Sequence, residues 1–212
     1  MIWDLPIRLF HWGLVVLVLI AWRSAEISDM HTHLLSGAGI AGLLTFRLCW
    51  GLFGSSTARF AHFVKGPGTV LAYARSLRSA KAAAGHNPMG GWSVLALLAC
   101  LLALTGFGLF AVDTDGLNSG PLSDWVDYDA GEAASHWHGF AFVALEWLIG
   151  LHVLAVLFYQ LIKRHGLIGA MVTGRQRHAE LAQEMRPGSK LILLASLLLG
   201  VGVTLLLVRL SG

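Results

Sequence analysis

The chain has 212 residues, of which 56% are hydrophobic and only 13% charged, and its formal net charge at pH 7 is +3. Soluble domains carry about 25% charged residues, so this composition excludes an ordinary soluble protein. We expect membrane lipid to surround the chain, and nothing in its composition indicates a nucleic-acid partner.

Five apolar segments predict five transmembrane helices, because about 20 residues are needed to cross a bilayer. The first four helices are expected at about residues 6–25, 33–53, 90–112 and 134–162. We do not expect the first helix to be a cleavable signal peptide, because it lacks the pattern of a basic N-terminal region followed by a cleavage site with small residues. Residues 54–86 mix aromatic and basic side chains and predict an interfacial segment.

The expected fold is therefore an all-α integral membrane protein with a four-helix bundle in residues 1–177. Residues 178–212 are predicted to form a cytoplasmic linker and a fifth transmembrane helix, which we expect to be peripheral. Cys49 and Cys100 are interpreted as buried thiols. Because no CxxCH motif occurs, covalently attached haem is not expected.

Basic residues are unevenly distributed between the polar segments. Residues 54–86 contain five Lys or Arg and no acid, and the segment after Ile162 is also basic, whereas residues 113–132 contain six acids and no Lys or Arg. Basic residues mark the cytoplasmic side of bacterial membrane proteins. We therefore expect a multi-pass protein of the bacterial inner membrane, with its N-terminus in the cytoplasm and its C-terminus in the periplasm.

Four histidines lie at two depths of the predicted bundle. His138 and His152 are fourteen residues apart on the fourth helix, which places both imidazoles on nearly one face, about 21 Å apart. The topology pairs His152 with His11 at an inner level and His138 with His33 at an outer level. Intramembrane histidines are costly and usually functional, and four at two depths match two b haems with bis-histidine ligation. A hydrogen-bonding or proton-relay role is the alternative for each.

Two arginines are predicted near the inner pair. Arg47 follows His33 by fourteen residues and shares its helical face, and Arg8 lies at the inner end of the first helix. Because arginine binds carboxylates in two-point contact, we expect both to lie near the propionates of the inner haem. Snorkelling to lipid phosphates is the alternative.

The remaining polar side chains in this pattern have simpler interpretations. His31 and His136 each precede a proposed ligand by two residues and should point away from it, unless the helical register is shifted. Glu146 lies on another face of the fourth helix and suits either a quinone or proton contact or a structural hydrogen bond. Four further histidines are interpreted as surface residues: His62, His86, His165 and His178.

Five short sequence motifs resemble those of a known protein family. They lie at residues 2–12, 46–55, 58–60, 85–90 and 170–174. In these motifs the sequence resembles the bacterial di-haem cytochrome b561 family, which includes the cytochrome b subunits of nickel–iron hydrogenases. The resemblance covers about residues 1–177. It implies a four-helix bundle with two b haems that exchanges electrons with quinones, and axial ligands at His11, His33, His138 and His152. In many members the residue after the second-helix histidine is acidic, and here it is Leu34.

The leading functional hypothesis is electron transfer between the quinone pool and a periplasmic redox partner such as a c-type cytochrome, which the acidic outer segment would attract. A second hypothesis is the membrane-anchor cytochrome b subunit of a hydrogenase-like complex. A third is a superoxide:quinone oxidoreductase, against which the acidic outer segment argues. A channel or transporter would be the non-redox reading, but no inverted repeat favours it. A homo- or hetero-oligomer is compatible with all four.

Overall fold

The computed structural model describes residues 2–76, 86–113, 118–175 and 185–211, and these residues form helices and connecting segments without a strand. Within these ranges, five helices are long and apolar enough to cross a membrane, which confirms the predicted all-α membrane fold. The helices in chain order are α1 (Leu5–Glu26), α2 (Met30–Phe53), α3 (Phe60–Phe63), α4 (Pro67–Arg75), α5 (Pro88–Phe110), α6 (Tyr128–Leu157), α7 (Leu167–Thr173) and α8 (Lys190–Leu210). A π-helical turn, Phe158–Ile162, extends α6.

Each spanning helix begins after a polar side chain that accepts a hydrogen bond from a backbone amide of the first turn. Such caps satisfy amide groups that have no partner inside the helix. The cap at Asp127 accepts from Ala130 N at 2.8 Å, so α6 begins at Tyr128 rather than near residue 134. The polar residues in its first two turns hid this start in the sequence. The five caps are Asp4, Asp29, Asn87, Asp127 and Ser189.

The bundle consists of two helix pairs. α1 packs along α2 and α5 packs along α6, while the approach between the pairs runs mainly from α2 to α5. Leu44 and Leu145 are each 1% exposed and belong to the central core. Leu145 lies between His138 and His152 along α6, so a closely packed centre separates the two histidine levels.

The fifth spanning helix packs closely along α2. A Cβ atom built on Gly42 would lie 2.6 Å from the carbonyl oxygen of Gly200, and the Thr204 hydroxyl donates to Ala38 O at 3.2 Å. Small residues let two transmembrane backbones approach each other in this way. The fifth helix therefore packs against one helix of the bundle, α2, through a close interface.

Replacing Gly42 by leucine is expected to lower the melting temperature of the detergent-solubilised protein, because the added side chain collides with the Gly200 backbone. Overpacking of this kind costs about 1–3 kcal/mol. Gly202→Leu is the matched control, since a Cβ at Gly202 meets no atom within 4 Å. Equal melting temperatures for the two variants would contradict the described α2–α8 contact.

Candidate functional site

The outer pair of histidines faces across the bundle. The ring centroids of His33 on α2 and His138 on α6 are 6.1 Å apart, and the ring planes make an angle of 79°. His33 Nδ1 donates to Ala21 O at 2.9 Å, and His138 Nδ1 donates to Leu104 O at 2.8 Å. Because Nδ1 carries the proton in each neutral ring, both Nε2 atoms have a lone pair for a metal. Metal-binding histidines are commonly anchored by such bonds.

The geometry of this pair fits a haem iron between two imidazoles. A metal–nitrogen bond of about 2 Å on each side, with about 1 Å from each nitrogen to its ring centre, separates the two centroids by about 6 Å. A cavity of about 320 Å³ adjoins both histidines, and its lining is mostly apolar. A Cβ on Gly37 or Gly139, which line the cavity, would meet no atom within 4 Å. The outer site therefore offers both the ligands and the space for a flat apolar cofactor.

Gly108 on α5 determines how closely the His138 ring approaches that helix. A Cβ atom built on Gly108 would lie 2.9 Å from both Nδ1 and Cε1 of His138. Only a glycine at this position lets the imidazole reach the Leu104 carbonyl without displacement. The sequence shows a glycine here, but its contact with His138 emerges only when α5 and α6 are packed together.

The inner pair also lies on facing helices. His11 on α1 and His152 on α6 are half-buried and lie within electrostatic range of each other. His11 Nδ1 is shielded from solvent and has no hydrogen-bond partner in the described part of the chain. The inner histidines therefore influence each other electrostatically, but His11 lacks the backbone anchor that both outer histidines have.

The two arginines lie at the inner end in different surroundings. Arg47 is 4% exposed; its guanidinium donates to Ala58 O at 3.3 Å and lies 4.5 Å from the centre of the Phe60 ring. Arg8 donates through Nη1 to Val172 O at 2.6 Å. The burial of Arg47 argues against simple snorkelling to lipid phosphates and leaves a cation near the inner histidines.

The inner ends of α1, α2 and α7 are tied together by the N-terminal segment. The buried carboxylate of Asp4 accepts hydrogen bonds from Ile7 N and Trp50 Nε1, each at 2.8 Å, and from the Ser55 hydroxyl at 2.5 Å. Ile2 N donates to Gly174 O at 2.8 Å. These contacts hold the first turns of α1, and therefore Arg8 and His11, against α2.

His86 is not the surface residue that its polar segment predicted. Its ring centroid lies 4.5 Å from those of Trp3 and Phe63, and its Nδ1 is shielded from solvent. Burial, together with nearby Arg47 and His152, lowers the pKa of His86 to about 3, so the ring is neutral at physiological pH. The packing of His86 depends on residues distant in the chain, which local polarity does not reveal.

The histidines that are not proposed as ligands differ in their exposure. His31 and His136 are exposed, which agrees with the proposed helical register. His62 is exposed, whereas His165 is half-buried and stacks on Tyr159 with centroids 5.7 Å apart, which corrects its interpretation as a plain surface residue. His178 lies outside the described residues.

The remaining residues lie on the membrane face and in the connecting segments. Glu146 is exposed on α6, and both cysteines are only half-buried. In the interfacial segment, the hydroxyls of Tyr73 on α4 and Tyr159 lie 3.2 Å apart; residues 77–85 are outside the description. Asp115 of the outer segment lies outside the described residues. Four other acids of this segment are exposed, namely Asp124, Asp127, Asp129 and Glu132.

The chain was also compared with known protein families, proteins and solved structures. The family model of the prokaryotic cytochrome b561 matches residues 2–174. A protein of Bradyrhizobium diazoefficiens named "Probable Ni/Fe-hydrogenase B-type cytochrome subunit" is 21% identical over 211 residues, covering 83% of this chain and 85% of the relative. No solved structure matches the chain.

The match to the family model spans all the proposed histidine ligands and four of the five spanning helices. Proteins of this kind are membrane-embedded b-type cytochromes, in which haem b transfers electrons. The outer histidine pair and its adjoining cavity fit such a group. The chain belongs to the prokaryotic cytochrome b561 family.

Proposed function

We propose that the chain conducts electrons across the bacterial inner membrane through two b haems, each held by two histidines. His33 and His138 would ligate the outer haem, and His11 and His152 the inner one. The observation that carries the proposal is the outer pair, whose rings face each other at 6.1 Å with both Nδ1 atoms bonded to backbone carbonyls. Two polar rings anchored in this way inside an apolar bundle suit a shared metal better than a hydrogen bond between helices.

The chain's own residues hold and insulate the cofactors. Bound haem supplies one-electron redox chemistry. The carbonyls of Ala21 and Leu104 orient the outer imidazoles and raise their basicity as ligands. The apolar helices exclude water between the two levels. Arg8 and Arg47 supply positive charge at the inner end, where haem propionates need a counter-charge.

The distribution of charged residues supports binding of a redox partner at the outer, acidic end of the protein. The acids of the outer segment are exposed, and such a surface attracts a basic periplasmic protein such as a c-type cytochrome. The basic segments favour a cytoplasmic N-terminus, with the inner histidines towards the cytoplasmic side. We therefore propose electron exchange between a quinone pool in the membrane and a periplasmic redox protein.

A second candidate function is that of a membrane-anchor subunit in a larger redox complex. The name of the Bradyrhizobium relative, a probable B-type cytochrome subunit of a Ni/Fe-hydrogenase, favours it. Purification under mild conditions separates the two candidates, because an anchor subunit would retain an iron–sulfur partner. A superoxide:quinone oxidoreductase is disfavoured by the exposed acids of the outer segment, which would repel the anion.

The proposal predicts about two b haems per chain in the wild type and about one in His152→Ala, because the inner iron would lose one of its two imidazoles. Haem content is measured by the pyridine haemochrome method together with reduced-minus-oxidised spectra of the purified protein. A wild-type protein without haem would overturn the electron-transfer proposal. If His152→Ala retained both haems, the function would stand, but the pairing of the inner ligands would be wrong.

A further inference from the structure

Unpartnered polar atoms are concentrated at the inner end of the bundle. Within the described residues, four buried side-chain atoms lack a hydrogen-bond partner: Arg8 Nε, His11 Nδ1, Thr57 Oγ1 and His86 Nδ1. The outer site differs, since both of its imidazoles are bonded to carbonyls. Leaving a buried donor without a partner is energetically costly. Such a concentration of donors points to an acceptor that binds at this end.

The same region is short of negative charge. Arg47 is buried, and the carboxylate within its electrostatic range is that of Asp4. Asp4 already accepts hydrogen bonds from Ile7, Trp50 and Ser55. A buried cation requires an anion or several acceptors nearby. A bound carboxylate would supply both the charge and the acceptor oxygens.

His86 is positioned to reach such a group. It lies within electrostatic range of both Arg47 and His152, which places it beside the inner histidine site. The rings of Trp3 and Phe63 pack against its imidazole and restrict its rotation. A neutral imidazole carries one N–H and can donate a hydrogen bond without adding charge.

We propose that His86 donates a hydrogen bond from Nδ1 to a propionate oxygen of the inner haem, beside Arg8 and Arg47. In this role His86 is a positioning residue that raises the midpoint potential of that haem. The inference rests on the proposed function, because it requires an inner haem between His11 and His152. A carboxylate is favoured over a neutral quinone oxygen because it also offsets the charge of Arg47.

The test compares His86→Phe with His86→Asn by redox titration and resonance Raman spectroscopy of the purified protein. In His86→Phe, the potential of one haem is expected to shift downward and its propionate bending band to move. The carboxylate charge, no longer dispersed by the hydrogen bond, would stabilise ferric iron. Asparagine retains an N–H donor and should restore most of both signals. The outer haem is the internal reference, and His62→Phe, at an exposed histidine, should change neither signal.

The possible outcomes separate this inference from the proposed function. Fewer than two haems in the wild type would contradict the function itself. Two haems with unchanged potentials and Raman bands in His86→Phe would overturn the inference alone. His86→Phe could instead leave the haem potentials unchanged and require a severalfold higher quinol concentration for half-maximal reduction of the haems. That result would overturn the inference, because the group that accepts the hydrogen bond would then be a quinone. If His86→Phe does not assemble, His86→Ala replaces it, and equal signals in the Ala and Asn variants would overturn the inference.

Discussion

Replacing His138 by alanine is expected to lower the haem content of the purified protein from about two b haems per chain to about one. The substitution removes an imidazole from the outer pair, whose rings lie 6.1 Å apart. Loss of a residue that merely supports a metal ligand typically weakens binding 10–100-fold, so loss of the ligand itself should exceed that. The remaining haem would be the inner one. The loss of the outer haem is measured by the haem content of the purified protein and by redox titration of the haem that remains.

His136→Ala is the control for this experiment. His136 lies two residues from His138 on the same helix, but its side chain is exposed. This variant should keep both haems and both potentials. Loss of haem in His136→Ala with retention in His138→Ala would show that the helical register is shifted and that His136 is the ligand.

Replacing Gly108 by alanine is expected to weaken the outer haem while leaving the inner haem in place. The added methyl group would lie 2.9 Å from two atoms of the His138 ring. The ring would have to move and would lose its hydrogen bond to Leu104. Overpacking costs about 1–3 kcal/mol, which corresponds to a loss in haem affinity of about five- to 150-fold. Haem release to an apo-globin acceptor provides the measurement.

Gly106→Ala is the matched control, because a Cβ at Gly106 meets no atom within 4 Å. The two variants carry the same change on the same helix, two residues apart. Similar rates of haem release from both would mean that Gly108 does not position His138. Faster release from Gly108→Ala alone would support the close approach of α5 to the outer ligand.

The histidine positions illustrate what spacing and charge can predict. The fourteen-residue interval between His138 and His152 assigns them to one face of a helix. The distribution of basic residues assigns each of their partners to a depth. The structure places the rings of His33 and His138 6.1 Å apart, and His11 lies within electrostatic range of His152. Haem ligation by these four residues stays a prediction for the haem measurements to test.

The start of α6 and the packing of α8 could not be predicted in the same way. The start of α6 depends on one carboxylate bonded to one amide, a local contact that hydropathy does not register. The interface of α8 depends on Gly42 meeting Gly200 across two helices. Small residues in a sequence show that a close approach is possible, without showing which helix approaches.

The sequence by itself determined the membrane class, the number of spanning helices and the family, because these depend on composition, run length and short strings read along the chain. Only the tertiary structure decided how the two outer imidazoles are anchored, why Gly108 is needed beside His138, and that His86 packs against Trp3 and Phe63. The physical reason is that these contacts join residues from different helices and segments. Their distances are set by the packing of whole elements, which no local pattern encodes.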